Sequence, residues 1–220
     1  MAEKKVSGLK KEDIKVLHED KYLNLYHCSY ETNPHYLVAS RRKKDDLIAL
    51  KSDEEYRELL SDAVTCVLIV ETPGEEPRLY LEREFRYPVG RFLLSPPAGL
   101  IDKGDGDGGA DPRITAAKRE IKEETGIEVK DSDEIFVASP LVFSTPGMTD
   151  ESNAMICAKV SLPDLSSLTT DGAEGTECFG DYCLLTKSQA EELLRTGRDD
   201  DGLYYSVFTW AAMLYFVSQC

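Results

Sequence analysis

A chain of 220 residues with 41% hydrophobic content suits one domain, or a domain with an appendage, and is long enough to bury a sizeable core. Its net charge of −15 excludes bulk binding to a nucleic-acid backbone or an anionic membrane, so any polyanionic ligand must be met by local Arg or Lys or by bound metal. No segment reaches the roughly eighteen apolar residues of a membrane span, and the opening Met-Ala-Glu-Lys-Lys has no apolar signal core, which predicts a cytoplasmic protein.

In chain order, residues 1–20 are charged and weakly patterned and predict a loose arm. Partly alternating residues at 22–28, and a second run at 35–40 after the turn-forming Asn33-Pro34, predict a small antiparallel β unit. Arg41-Arg42-Lys43-Lys44 follows as the strongest basic run, readable as a ligand contact or a solvated turn. A short polar helix is predicted over 53–62, a buried strand over 63–70, and its hairpin partner over 79–84 after Pro73-Gly74. Residues 92–94 begin a strand that runs into a Pro-Pro-Ala-Gly turn. Further strands are predicted at 134–139, 154–160 and 182–185, with helices over 188–195 and 203–217. Strands on both sides of one central helix, with helices at the end, predict an α/β/α sandwich with a mixed β-sheet, preceded by the small N-terminal β unit. The expected division is residues 1–50 and 51–220.

Cysteines stand at 28, 66, 157, 178, 183 and 220 with no CxxC pair, and only three histidines accompany them. Cys66 and Cys157 lie in apolar runs and predict small core residues in a reducing compartment.

The central helix carries the chemistry. Asp111 suits its N-cap, Pro112 its first turn and Gly126 its end. Helical geometry brings Glu120, Glu123 and Glu124 into one sector, while Ile114, Ala117 and Ile121 form an apolar stripe elsewhere. Like charges at such spacing destabilise an isolated helix by a few tenths of a kcal/mol, so local folding gives no reason to group them. A hard divalent cation does: Mg²⁺ accepts a few carboxylates, keeps some waters and is completed by substrate phosphates. The Gly-rich segment 102–111 matches neither an EF-hand loop, since its twelfth position from Asp105 is Ala116, nor a P-loop, since it lacks Gly-Lys-Ser/Thr.

Gly99 followed by Arg119-Glu120-Ile121-Lys122-Glu123-Glu124-Thr125-Gly126-Ile127 resembles the Nudix box, Gly-x5-Glu-x7-Arg-Glu-U-x-Glu-Glu-x-Gly-U, where U is a bulky aliphatic residue. Its second half matches at every fixed position; its first half is six residues too long. Counted from Gly99 the outer acidic position falls on Asp105, and counted back from Arg119 it falls on Asp111, with Gly106–Ala110 as a surface bulge. Residues 82–90, 97–102 and 144–151 resemble the ADP-ribose and ADP-sugar pyrophosphatase branch of the Nudix hydrolases.

The resemblance implies Mg²⁺-dependent hydrolysis, with Mn²⁺ as an alternative, of a nucleoside diphosphate sugar, ADP-ribose first and UDP- or GDP-sugars or dinucleotides as alternatives. A ligand-sensing domain without catalysis is the remaining one. It implies metal ligation by Glu120, Glu123, Glu124 and Ala98, with Arg119 pairing to and orienting a carboxylate of the box. It places Arg86 on the diphosphate, Ala98 at a backbone contact, and Tyr36 with Arg41 beside the adenine; Tyr36 reads equally as strand packing. A glutamate before the last strand serves as base, Glu177 by register, with Glu174 and Glu151 left open. A homodimer is also implied.

Overall fold

The predicted loose arm is in part a strand. In the computed structural model, which describes residues 8–169 and 178–219, Ile14–His18 forms β1 and pairs antiparallel with β2 (Asn24–Cys28), which pairs antiparallel with β3 (Tyr36–Ser40). Ile14 is the reason: it is buried beside Leu9, Tyr26, Cys28 and Leu47 in a small apolar core, a single anchor that a charged flanking sequence hides. The Asn24 side-chain amide donates to the carbonyls of Ser40, Arg41 and Arg42, and Tyr26 Oη donates to Arg42 O at 3.0 Å.

The chain divides into two compact units, Met1–Leu60 with Phe143–Ser152, and Ser61–Val142 with Asn153–Cys220. In the first, segment 143–152 lies along β3, with Ala39 N–H donating to Met148 O at 3.0 Å and Ala39 bridging Thr149. The basic run is paired throughout, with Arg41 and Lys43 still exposed: Arg41 meets Glu151, Arg42 meets Asp150, Lys43 meets Glu19, and Lys44 Nζ donates to Ile14 O at 2.7 Å. Helix α1 (Asp53–Arg57) starts on a reciprocal Ser52–Glu55 cap but stops five residues short of 62, because none of its residues is buried and packing gives it no face to extend.

In the second unit, β4 (Ala63–Glu71) is the central strand, and Ala63 through Val70 are all buried, as a strand covered on both faces requires. The sheet order is β10-β5-β4-β9-β8, with β6 on β5 and β7 on β4. These are β5 (Arg78–Arg86), β6 (Arg91–Ser95), β7 (Ala98–Leu100), β8 (Glu134–Phe143), β9 (Ser152–Ser161) and β10 (Phe179–Leu185). β9 runs parallel to β4, while β5 and β7 run antiparallel to it, so the sheet is mixed. One face of β4 (Val64, Cys66, Leu68, Val70) packs on Ala116, Ala117 and Ile121 of α2 (Pro112–Thr125). The other (Val67, Ile69) packs with Ala190 and Leu193 of α3 (Lys187–Thr196) and Ala212, Met213 and Phe216 of α4 (Val207–Gln219). The fold is α/β, a mixed sheet between helices, with the three-stranded antiparallel sheet separate from it.

Cys66 and Cys157 are buried core thiols, as predicted. Other boundaries also differ from the sequence reading, β8 running on to Phe143 and β10 starting at Phe179. The expected turn at Pro-Pro-Ala-Gly contains strand β7, whose Ala98–Leu100 pair with Thr65–Ala63. Helix α4 begins at Val207 instead of 203, since Asp199 Oδ1 accepts from the Asp201 and Leu203 amides and Ser206 Oγ accepts from Thr209 N–H.

Candidate active site

Helix α2 is fixed at both ends. Asp111 accepts from Arg113 N–H at 3.0 Å, Pro112 occupies the first turn, and Gly126 closes the helix in the left-handed region at φ 74°, its N–H donating to Lys122 O. With Ala116, Ala117 and Ile121 committed to the core, Glu120 and Glu124 are carried under β7 and are only 7% and 3% exposed, while Glu123 is half-buried. Ala98 N–H donates to Glu124 Oε2 at 3.0 Å. A Cβ on Gly99 would lie 1.9 Å from Glu120 Oε1, so only glycine admits the carboxylate this close to the strand.

Arg119 binds the cluster from the side. Nη1 donates to Glu120 Oε1 at 2.6 Å and to Glu123 Oε2 at 3.2 Å. Nη2 donates to Leu100 O at 2.9 Å and Asp105 Oδ2 at 3.3 Å, with Asp102 3.7 Å away. Asp105 is buried and also accepts from Asp102 N–H at 2.8 Å, so the count from Gly99 is the one that reaches Arg119. Asp111 instead caps α2 and pairs with Arg113, and Gly106–Ala110 are exposed.

Glu82 of β5 was not singled out from the sequence, and it is the most buried carboxylate here at 1% exposure. It hydrogen-bonds Glu124 and accepts from Tyr80 Oη at 3.4 Å. Burial pushes the Glu82 carboxyl up to about 8 and holds Glu124, facing Glu82 and Glu120, well above the usual carboxylate range. Near neutral pH the pair therefore retains a proton in a place that favours positive charge. The available signal was Glu82's inward parity: Leu79 and Leu81 face one layer, which leaves Tyr80 and Glu82 facing the other, and a strand inside the sheet has no solvent side.

Among the described residues, no three Asp, Glu, His or Cys side chains form a ready-made metal cage. The donor chemistry nevertheless suits a hard cation: the groups are all carboxylate oxygens, and buried Glu82 Oε1 has no hydrogen-bond partner.

The other expected site residues fall in two places. Arg86 ends β5 and pairs with Glu84. Tyr36, Arg41 and Glu151 belong to the first unit, where Tyr36 Oη donates to Gly147 O at 2.6 Å and the Arg41 guanidinium pairs with Glu151. Glu174 and Glu177 lie outside the described residues.

No family model matches the sequence. The chain is 37% identical over 110 residues to an ADP-ribose pyrophosphatase of Saccharomyces cerevisiae, a match covering 48% of this chain and 43% of that protein. It is 36% identical over 105 residues to putative nudix hydrolase 2 of Caenorhabditis elegans, covering 47% and 42%. To the ADP-sugar pyrophosphatase of Mus musculus it is 26% identical over 128 residues, covering 58% and 54%. The chain thus spans about half the length of the relatives it matches. Over about half its length the chain is thus similar to Nudix hydrolases, among them proteins named as ADP-ribose and ADP-sugar pyrophosphatases, and the matches accompany a glutamate cluster clamped by one arginine under a strand that must carry glycine.

Proposed function

We propose that this chain hydrolyses the pyrophosphate bond of a nucleoside diphosphate sugar, ADP-ribose to AMP and ribose 5-phosphate, at a divalent-cation site on α2. The observation that carries the reading is the buried carboxylate group Glu82, Glu120 and Glu124, beside Glu123, with Glu120 and Glu123 held by one guanidinium and Glu124 by the Ala98 amide. Isolated buried carboxylates are costly, and a chain keeps several together where a cation or a proton compensates them. Relatives named for ADP-ribose and ADP-sugar pyrophosphatase activity support the substrate class.

Glu120, Glu123, Glu124 and the Ala98 backbone would hold Mg²⁺ or Mn²⁺, which when bound neutralises phosphate charge and acidifies water. The chain's own contributions are positional. Arg119 keeps Glu120 and Glu123 from rotating away, and Ala98 N–H does the same for Glu124. Arg86 is half-exposed and suited to fork onto a phosphate. Tyr36 and Arg41 would recognise the adenine. Glu177 takes the role of base in this reading by its register with the strand that follows, with Glu174 as the alternative, while the Glu151 carboxylate is engaged by Arg41. Exposed Leu17 and Leu37 on the three-stranded sheet, with exposed Leu23 just before β2, support a homodimer formed through that unit, and the compartment proposed is the cytoplasm.

The test is a panel of ADP-ribose, UDP-glucose, GDP-mannose and a dinucleoside polyphosphate, each assayed with Mg²⁺ and with chelator. The reading expects metal-dependent AMP release from ADP-ribose above all others. Cleavage of another sugar nucleotide alone would move the substrate but keep the chemistry, and no metal-dependent cleavage of any would refute both.

A further inference from the structure

Glu82 stands outside the box, and its surroundings leave it unfinished. It lies on β5 opposite Ser95 of β6 in the strand register, on the face that looks toward α2. Two side-chain oxygens on this face are buried without a hydrogen-bond partner, Glu82 Oε1 and Ser95 Oγ. Tyr80 Oη and Glu124 occupy the remaining directions around Glu82. A 1%-exposed carboxylate with an idle oxygen, pressed against a second carboxylate, is an expensive arrangement for a strand position that any β-branched apolar residue would fill. Arg119 does not relieve it, since its donors go to Glu120, Glu123, Asp105 and Leu100 O. Glu82 Oε1 is therefore left without a hydrogen-bond partner in a carboxylate that touches Glu124.

We propose that Glu82 is a fourth carboxylate of the divalent-cation site, holding the cation from the strand side through Oε1 while Glu120, Glu123 and Glu124 hold it from the helix. The assignment rests on the reading of α2 as a cation site. Its consequence is that the site is anchored on two elements of the fold, so α2 and β5 are drawn together when the cation enters. Ser95 Oγ lies within the same strand pair and is suited to a bound water of that cation.

The experiment is a calorimetric titration of the purified full chain with Mn²⁺ in the absence of any nucleotide, on wild type, Glu82→Gln, Glu82→Val and Glu124→Gln, with thermal midpoints in chelator and in Mn²⁺. Glu82→Gln keeps the shape and the hydrogen bond to Glu124; Glu82→Val keeps the strand packing if the amide does not fold. The expected result is a dissociation constant raised about tenfold or more in both Glu82 variants. Their midpoints in chelator should be equal to or above wild type, and the gain in midpoint on adding Mn²⁺ should shrink. Wild-type affinity in both Glu82 variants, with affinity lost in Glu124→Gln, overturns the role of Glu82 and leaves the helix site standing. Wild-type affinity in Glu124→Gln as well would instead refute the cation site itself.

Discussion

Gly99→Ala isolates the closest approach in the site. Gly99 pairs with Val64 of β4 and does not have a left-handed φ, so alanine carries no backbone penalty there and the effect is steric. The added methyl would lie 1.9 Å from Glu120 Oε1 and 2.1 Å from Cδ, whereas real contacts need more than 3 Å. Glu120 is 7% exposed, and its carboxylate must swing by more than 1 Å, straining the bond to Arg119 Nη1, now 2.6 Å away. Overpacking by one methyl costs about 1–3 kcal/mol. Weakening a charged hydrogen bond adds part of a further ~1.5–3 kcal/mol, giving a loss of about 2–4 kcal/mol in all. Urea unfolding in chelator reads the stability loss, and an Mn²⁺ titration of the folded variant reads the displaced ligand. Gly104→Ala is the control, since its Cβ meets nothing nearer than Asp107 Oδ2 at 3.9 Å. If Gly99→Ala unfolds within 0.5 kcal/mol of Gly104→Ala and binds Mn²⁺ equally well, the close packing of Glu120 under β7 is wrong.

Other perturbations read other parts of the site. Glu82 and Glu124 both have folded-state proton affinities raised above those of the unfolded chain, and the Glu82 contribution to stability is full below about pH 4.5 and is lost as pH rises toward about 8. Melting in chelator, wild type minus Glu82→Val, should show wild type losing ground across that window, by up to ~1.4 kcal/mol per pH unit for each proton involved. A flat difference between pH 5 and pH 8 contradicts the burial of that carboxylate. Arg119→Lys keeps the charge but cannot span Glu120, Glu123, Asp105 and Leu100 O together, and should weaken Mn²⁺ binding by about 10–100-fold in a calorimetric titration. Gly126→Ala must hold φ 74° and place Cβ 2.7 Å from Ser167 O, so urea midpoints should report a loss of about 2 kcal/mol or more.

Local signals made the helix and the central strand legible. Asp111, Pro112 and Gly126 marked the ends of α2 because capping is chemistry between neighbours in sequence, and the unbroken apolar run marked β4 because both its faces are covered. Spacing also gathered Glu120, Glu123 and Glu124. What sequence did not give depended on partners distant along the chain. β1 needed Ile14 to meet Tyr26 and Leu47, and β7 needed the edge of β4 to pair with. Glu82 became a site residue only when β5 was flanked by β4 and β10, which removed the solvent face its alternation suggests. The pairing of Arg41 with Glu151 joins positions 110 residues apart, and no pattern in either segment announces it.

The central claim is that the α2 carboxylates carry a cation against a pyrophosphate, and the rate of AMP release from ADP-ribose as Mg²⁺ is titrated, on wild type and Glu124→Gln, tests it most directly. Wild type should turn over only with metal present, saturating as the site fills, and Glu124→Gln should lose at least about a hundredfold in kcat/KM, some 2.7 kcal/mol of transition-state stabilisation. Turnover that persists in chelator, or a Glu124→Gln variant as fast as wild type at every Mg²⁺ concentration, would contradict it.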